Sequence, residues 1–235
     1  GAARCGGVSG CGVHKSGCGM GDLGGGARLK AWLVYGSVGQ AMGTAGGVAK
    51  CLSRTGNDTV VVLSGDVIAD INIRALVEAH EQSGAVATMA LTTVENPTEF
   101  GIVGLDPTGR IVRFKEKPKA DEVFSNLINA GIYVLSPEAL CEVPPGANFD
   151  FSKNLFPKLL ESGRKLQGVS LEGFWMDVGR PAYLLKASHI LGQKHHHGPL
   201  RDGAKISPAA RVTRSDLYPG APVEGSAALE DSILY

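Results

Sequence analysis

The sequence predicts an α/β domain with a mixed β-sheet and helices on both faces of that sheet, followed by a short repeat segment. Runs of β-branched and apolar residues alternate with amphipathic helical stripes from residue 59 to residue 191, which is typical of an α/β sheet. A hairpin-turn sequence in that region indicates that some strands are antiparallel. After residue 203 an apolar residue recurs about every six positions, which indicates a hexapeptide-repeat β-helix.

The first predicted strand and helix flank a carboxylate. The strand Thr59–Ser64 is rich in β-branched residues, and we expect it to be buried on both faces. It ends just before Asp66. Asn72 is expected to cap a helix that runs to about Gln82 and is stopped by Gly84. The local order is therefore strand, carboxylate, helix.

The remaining predicted elements complete the mixed sheet. Asp106-Pro-Thr-Gly109 is typical of a hairpin turn, so the strands on either side of it pair antiparallel. The other expected elements are a strand over 85–94, a turn at 97–100, hairpin strands over 101–105 and 111–115, a strand over 128–135, a short helix opened and capped at Ser136-Pro-Glu138, a helical stripe over 155–160, a strand over 165–171 and a helix over 183–191.

Composition and charge exclude several classes of function. The 235 residues include 23 basic and 23 acidic side chains. Proteins that coat nucleic acid or anionic lipid need clustered excess Lys and Arg, so we expect no nucleic-acid and no membrane partner. No stretch approaches the roughly 20 apolar residues that cross a bilayer, and the start has no secretory h-region. We therefore expect a cytoplasmic protein with one main domain.

Residues 1–40 differ in composition from the rest of the chain, because they hold 13 of the 33 glycines and a single acidic residue. We expect this segment to be disordered, or not to be the authentic start of the protein. Cys51 and Cys141 are expected to be buried as small apolar residues. A zinc site is the alternative use of the N-terminal segment, although the gaps between its cysteines do not match the usual spacing: Cys5, Cys11, His14 and Cys18.

Two carboxylates follow strands in the predicted sheet. Asp66 lies at the end of the first strand, and Asp177 lies after the strand that ends near Leu171 and before the helix that begins near Tyr183. Ligands of α/β sheets bind beyond the carboxyl ends of the strands, so both could face one crevice. Mg²⁺ takes one or two carboxylates and completes its octahedron with phosphate oxygens and water. The alternative is that both are caps or turn residues, a common role of Asp.

Six short motifs occur in order along the chain. They are Gly43-Thr-Ala-Gly-Gly47, Leu63-Ser-Gly-Asp66, Glu99-Phe-Gly-Ile-Val103, Phe114-Lys-Glu-Lys-Pro118, Asn129-Ala-Gly-Ile-Tyr133 and Trp175-Met-Asp-Val-Gly179. Their order resembles the sugar-1-phosphate nucleotidyltransferase family, with closest similarity to mannose-1-phosphate guanylyltransferases (GDP-mannose pyrophosphorylases), for which the phrase Gly173-Phe-Trp-Met-Asp-Val-Gly-Arg-Pro181 is particularly suggestive. The resemblance covers about residues 41–192 and implies a Rossmann-like nucleotidyltransferase domain.

The resemblance implies a role for each matched residue. Asp66 and Asp177 would hold Mg²⁺ on the triphosphate, and catalysis would rest on these two residues and on Lys117, which would contact the sugar phosphate. The implied reaction is in-line attack of a hexose-1-phosphate oxygen on the α-phosphorus of a nucleoside triphosphate, which expels pyrophosphate. The implied substrate-binding residues are Gly43, Thr44 and Gly46 at the base and ribose, Gly101 and Asn129 at the hexose, and Glu116 at the sugar hydroxyls.

The sequence departs from the family at its start. The family opens with a strand and a G-G-x-G-T-R-L loop that wraps the triphosphate, and we find neither in residues 1–40. Gly24-Gly-Gly-Ala-Arg-Leu29 is superficially similar, but Ala27 replaces Thr, and we treat the likeness as coincidence. We therefore expect a domain over 41–192 that lacks its first strand and loop.

The tail combines a linker with the start of a repeat fold. Residues 193–202 include three consecutive histidines and are expected to be a linker. Residues 203–235 are expected to begin a β-helix, left-handed by the resemblance, that stops within its second coil and through which family members associate. An extended tail is the alternative. The apolar positions of the repeat are Ile206, Val212, Tyr218, Val223 and Leu229.

The leading hypothesis is an enzyme that forms an NDP-sugar, GDP-mannose above all, from a nucleoside triphosphate and a hexose-1-phosphate with Mg²⁺. One alternative is a non-catalytic regulatory or truncated member of the family that binds nucleotide-sugar. Another is a glucose-1-phosphate thymidylyl- or uridylyltransferase. A dinucleotide-binding module is disfavoured because no G-x-G-x-x-G follows a first strand.

Overall fold

A computed structural model describes residues 8–12, 33–37, 40–52, 58–194, 205–218 and 220–235. The chain divides into two compact units, and each is described by itself. The first comprises the chain up to Leu63 together with Asn72–Leu171, and the second comprises Ser64–Ile71 and Glu172–Tyr235. The zinc alternative concerns side chains that the structure does not describe. The sequence 24–29 and most of the predicted linker lie outside the described residues.

The described elements follow the alternating order expected from the sequence. A short 3-10 turn at Ala120–Glu122 and a π-helical turn at Phe151–Leu155 accompany them. In chain order the helices and strands are β1 (Val8–Gly12), β2 (Leu33–Ser37), α1 (Gly43–Leu52), β3 (Val60–Leu63), β4 (Val67–Ala69), α2 (Ile73–Ser83), β5 (Ala87–Thr93), β6 (Gly101–Leu105), β7 (Ile111–Glu116), β8 (Leu127–Leu135), α3 (Pro137–Leu140), α4 (Phe156–Glu161), β9 (Leu166–Ser170), β10 (Trp175–Asp177), α5 (Pro181–Lys194), β11 (Lys205–Ile206), β12 (Arg211–Thr213), β13 (Asp216–Leu217), β14 (Pro222–Val223), β15 (Ala228–Glu230) and β16 (Ile233–Leu234).

The first unit is built on a six-stranded mixed sheet. Its strand order is β7-β6-β8-β5-β9, with β3 also paired to β8. Only β5 and β9 run parallel; the other pairs are antiparallel, including the β6–β7 hairpin that the turn at Asp106 predicted. The mixed α/β sheet is therefore confirmed.

Helices cover both faces of the sheet, and β5 shows why. Its residues Ala87 to Leu91 are all buried, as expected of a central strand with protein on each side. Successive side chains point to opposite faces. Met89 packs in one cluster with Phe156 of α4, whereas Thr88 contacts His80 of α2 at 2.9 Å.

Helix α2 begins and ends as the sequence predicted. The Asn72 side chain accepts a hydrogen bond from the backbone N–H of Ala75 at 3.1 Å, which satisfies one of the free N–H groups of the first turn. Gly84 ends the helix in the left-handed conformation with φ of 61°, which glycine adopts without Cβ strain.

Three local predictions are wrong. Strand β3 is not buried on both faces, because Val60, Val61 and Val62 are only partly buried and Leu63 is 53% exposed. The Ser136 side chain does not cap α3; its hydroxyl contacts His80 Nε2 at 2.9 Å instead. The cysteines are not both buried free thiols, since Cys141 is free but exposed and Cys51 is disulfide-bonded.

Two further strands and one further helix of the first unit were not predicted. Strands β1 and β2 form a parallel pair, with Val8 opposite Leu33. Helix α1 holds three glycines, Gly43, Gly46 and Gly47. Because glycine is a poor helix former, the composition of this segment did not predict a helix.

The second unit contains a two-stranded ribbon, a helix and a series of short strands. Strands β4 and β10 pair antiparallel. Ser188 of α5 donates a hydrogen bond of 2.6 Å to buried Asp216 of β13. Strands β11, β12 and β13 pair parallel with β14, β15 and β16, and every partner lies 17 positions further along the chain, as in Lys205 with Pro222. Within the described part of the chain, no helix is both long and apolar enough to cross a bilayer.

Burial lowers the pKa of His80 from its ordinary value of 6.5, against the opposing charges of Glu81 and Glu138. Since the folded state disfavours the charged imidazole, stability from this group is present above pH 6.5 and is lost as the pH falls below that value. We predict that an NMR titration gives His80 a pKa below 6.5, with the signal assigned from its absence in His80→Gln. A value at or above 6.5 would contradict the burial argument.

Candidate active site

The β4–β10 ribbon brings the two predicted metal ligands together. Asp177 pairs with Val67, the residue after Asp66, and the Asp66 carbonyl accepts a hydrogen bond from Val178 N–H at 2.8 Å. A Cβ atom at Gly179 would lie 3.0 Å from Asp177 Oδ1 and 4.0 Å from Asp66 Oδ2. Both carboxylates therefore face the same glycine.

The chemistry of this pair fits a hard divalent cation. Two carboxylates beside a glycine leave room for phosphate oxygens and water, which is how Mg²⁺ is bound in phosphate-transfer sites. No group of three or more His, Cys, Asp or Glu side chains that could hold a metal occurs among the described residues. Asp177 Oδ1 also accepts a hydrogen bond from the Gly179 N–H at 2.8 Å. Asp177 therefore also has the role of a turn residue, which was the alternative interpretation.

Gly101 and Glu116 lie opposite each other in the β6–β7 hairpin. A Cβ atom at Gly101 would stand 2.8 Å from Glu116 Oε2 and 2.7 Å from the Phe114 ring, so a larger residue would displace the carboxylate. Burial raises the pKa of Glu116 above its ordinary 4.5, and the Lys117 charge opposes that shift. The hairpin therefore presents a partly desolvated carboxylate beside an exposed cation.

Lys117 has a left-handed backbone, with φ of 43°. This conformation costs a non-glycine residue about 1 kcal/mol or more. The Lys117 N–H donates to the Phe100 carbonyl at 3.0 Å, which holds the strained residue directly after β7. Such strain persists where the surrounding structure fixes it, and it is frequent at functional sites.

The side-chain amide of Asn129 forms hydrogen bonds with other groups of the protein. Its Nδ2 donates to Tyr133 Oη at 2.9 Å and to Ser152 Oγ at 3.1 Å, and its Oδ1 accepts the Gly131 N–H at 2.9 Å. Both amide hydrogens are therefore used. The contact with a hexose that the resemblance implies stays a prediction, and only the second lone pair of Oδ1 is left for it.

The motif at the start of α1 is explained by packing. A Cβ atom at Gly43 would stand 2.5 Å from the Phe149 carbonyl oxygen, and one at Gly46 would stand 2.7 Å from that of Ala147. Gly43 also has φ of 67°. These contacts require glycine at both positions whether or not a nucleotide binds there, so the nucleotide-pocket role stays a prediction.

Thr44 has a structural role that the sequence did not reveal. Its hydroxyl donates to Asp150 Oδ2 at 2.8 Å and accepts the Phe151 N–H at 3.0 Å. Asp150 Oδ1 in turn accepts the N–H groups of Ser152 and Lys153. Asp before a helical stripe is an N-cap signal, and that signal could have drawn attention to Asp150 and the turn it caps.

Comparison with protein-family models identifies the family of the chain. The model of the nucleotidyl transferase family matches residues 24–194. The chain belongs to this family. The match begins before residue 41, where the motif resemblance starts, and it includes the sequence 24–29.

Two relatives are named for different substrates. The chain is 39% identical over 162 residues to UTP–glucose-1-phosphate uridylyltransferase of Synechocystis, covering 67% of this chain and 42% of that protein. It is 29% identical over 223 residues to mannose-1-phosphate guanylyltransferase of Mycobacterium tuberculosis, covering 87% and 62%. The chain therefore spans less than two thirds of the length of either relative.

A solved structure supports the fold as well. A protein from Bacillus anthracis, crystallised with sucrose and described as a glucose-1-phosphate thymidylyltransferase, aligns with a TM-score of 0.66 at 26% identity. The alignment covers 74% of this chain and 71% of that one. The Rossmann-like mixed sheet is therefore that of a nucleotidyltransferase.

We predict that Glu116→Gln changes the pH dependence of stability. Because the folded pKa of Glu116 is raised, its favourable contribution is complete below pH 4.5 and is lost as the pH rises through the folded pKa. The melting temperature of the variant relative to the unmodified protein should therefore be higher at pH 8 than at pH 4.

Glu122→Gln is the matched control for that measurement. The backbone N–H of Lys119 and the Lys115 side chain lower the pKa of Glu122, so its contribution is present above pH 4.5 and is lost on acidification. Its difference should change with pH in the opposite direction. Parallel curves for the two variants would refute the assigned burial of Glu116.

We predict that Thr44→Val destabilises the protein by about 1 to 2 kcal/mol, since it removes one donor and one acceptor from partly buried partners. Urea denaturation would measure the change. Thr93→Val, at the exposed end of β5, should stay within about 0.5 kcal/mol. Equal effects of the two substitutions would show that the Thr44–Asp150 contact contributes nothing.

Proposed function

We propose that this protein transfers a nucleotidyl group to a hexose-1-phosphate, forming an NDP-sugar and pyrophosphate, with GDP-mannose as the leading product. Membership of the nucleotidyl transferase family supports the reaction class. The observation that carries the proposal for this chain is the adjacent placement of Asp66 and Asp177 on the β4–β10 ribbon.

Asp66 and Asp177 are proposed to bind Mg²⁺. When bound there, the ion would supply positive charge that offsets the charge of the triphosphate. The two carboxylates would fix its position, and Gly179 would leave space beside them, because any side chain there would approach Asp177 Oδ1.

Glu116, Gly101 and Lys117 are proposed to bind the hexose-1-phosphate. A carboxylate accepts hydrogen bonds from neighbouring sugar hydroxyls, and the bare backbone of Gly101 allows the ring to approach the hairpin. The Lys117 ammonium is exposed and can neutralise phosphate as a point charge. These groups would position the attacking phosphate oxygen, which is most of what such a transfer requires of a protein.

A glucose-1-phosphate uridylyl- or thymidylyltransferase is the second candidate. It is favoured by the 39% identity to the Synechocystis uridylyltransferase. The guanylyltransferase is matched over more of this chain, 87% against 67%, and the phrase 173–181 favours it too. Direct comparison of substrate pairs separates the two.

For the tail, we propose that residues 203–235 begin a left-handed β-helix through which the protein associates with itself, after a linker at 193–202 and a nucleotidyltransferase domain over 41–192. The constant 17-position offset of its parallel strand pairs supports successive coils of equal length. Its short strands, of two or three residues each, also suit the short sides of such coils.

We predict that the protein with Mg²⁺ releases pyrophosphate with one preferred pair among mannose-1-phosphate with GTP, glucose-1-phosphate with UTP and glucose-1-phosphate with dTTP. Asp66→Asn and Asp177→Asn should each lower kcat at least about a hundredfold, because each removes one negative charge from the metal-binding pair. A coupled pyrophosphate assay and chromatography of the NDP-sugar would measure both.

Asp121→Asn is the matched control, since it removes an exposed carboxylate from the 3-10 turn and should leave kcat unchanged. Turnover by Asp66→Asn or Asp177→Asn at the normal rate would refute the metal assignment. A folded protein that binds GDP-mannose and releases no pyrophosphate with any pair would instead support the regulatory or truncated alternative.

A further inference from the structure

The hydroxyl of Ser152 lies among partly buried polar side chains. It accepts a hydrogen bond from Asn129 Nδ2 at 3.1 Å. It also lies close enough to the Glu116 carboxylate to lower the pKa of that group. An ionised carboxylate can only accept, so the Ser152 hydroxyl can serve Glu116 only as a donor. One hydroxyl therefore neighbours both side chains to which we assign hexose binding.

The position of Ser152 is fixed from both sides of the chain. Asp150 caps the π-helical turn and accepts the Ser152 N–H at 2.9 Å, while Thr44 donates to the same carboxylate at 2.8 Å. On the inner side, the Phe151 ring lies 5.1 Å from the Tyr133 ring. Single π-helical turns are rare and frequently lie at functional sites.

We propose that Ser152 is a positioning residue for hexose-1-phosphate, holding Glu116 and Asn129 in the orientation that binds the sugar. This inference rests on the proposed function. Groups whose rotamers are locked by packing and hydrogen bonds bind a ligand without paying to become ordered.

These hydrogen bonds also determine what Asn129 and Glu116 offer to a ligand. Asn129 uses both amide hydrogens within the protein and keeps one free lone pair on Oδ1. Ionised Glu116 has no hydrogen to donate. Both groups therefore meet the sugar as acceptors, and the hexose must donate hydroxyl hydrogens to them.

The test compares Ser152→Ala with Ser152→Thr, which restores the hydroxyl, and with Ser162→Ala. Ser162 donates to the Leu159 carbonyl at the end of α4 and has no role in the proposed site. We expect Ser152→Ala to raise KM for hexose-1-phosphate about tenfold and to leave KM for the nucleotide within about twofold of its normal value. Ser152→Thr should keep KM for hexose-1-phosphate close to that of the unmodified protein.

A second readout does not depend on turnover. Burial disfavours the ionised form of Glu116, as does the charge of Asp150, whereas the charges of Lys117 and Lys153 and the neighbouring Ser152 hydroxyl favour it. Carboxyl NMR titration should therefore show a higher pKa for Glu116 in Ser152→Ala than in the unmodified protein, Ser152→Thr or Ser162→Ala.

An unchanged pKa of Glu116 in Ser152→Ala would overturn the inference, as would an equal rise of KM for both substrates. If the unmodified protein releases no pyrophosphate with any pair, the proposed function fails by itself. In that case the binding of mannose-1-phosphate or glucose-1-phosphate to the four proteins, measured by calorimetry, decides the inference: about tenfold weaker binding in Ser152→Ala alone supports it, and equal binding overturns it.

Discussion

Strand β8 is the constraint on which the first unit depends, because it is paired along both of its edges. One edge holds β5, and the other holds β6 near Ile128 and then β3 over its last residues. This arrangement fixes the register of β8. Asn129 and Tyr133 lie on either side of a register shift in the β5–β8 pairing, and their side chains meet there at 2.9 Å. The geometry of the candidate hexose site is therefore set by strand pairing.

Packing and the proposed chemistry use the same residues in this protein. The glycines of α1 are required by the nearby backbone of 147–149, and the Thr44 hydroxyl is consumed by Asp150 and Phe151. Motifs that identify the family can therefore be maintained by local structure alone. By contrast, the strained backbone of Lys117 and the burial of Glu116 carry a cost in stability. Costs of this kind are expected where a site must be ready before its ligand arrives.

The sequence predicted the elements that have clear local signals. Asn72 and Gly84 bound α2, the hairpin turn after β6 lies where Asp106 and Gly109 indicate it, and Asp66 and Asp177 come together. Predictions that depended on neighbours failed. The apolar composition of β3 does not show how far other elements cover its faces, and Ser136 satisfies every rule for a cap while its hydroxyl contacts His80. The contacts around Ser152 join β7, β8 and the turn after residue 150, so no single stretch of sequence could reveal them.

The constant offset of the tail has a consequence for how its sequence can change. Three successive strand pairs share one spacing of 17 positions. The segments that connect them therefore have one fixed length. A residue inserted within a strand would shift its partner by one position and turn each following side chain to the opposite face. An insertion at a turn, such as beside Gly225 with its φ of 60°, can bulge outward and leave the pairing intact. Length variation in this region should therefore accumulate at the corners, and the strands should vary by substitution only.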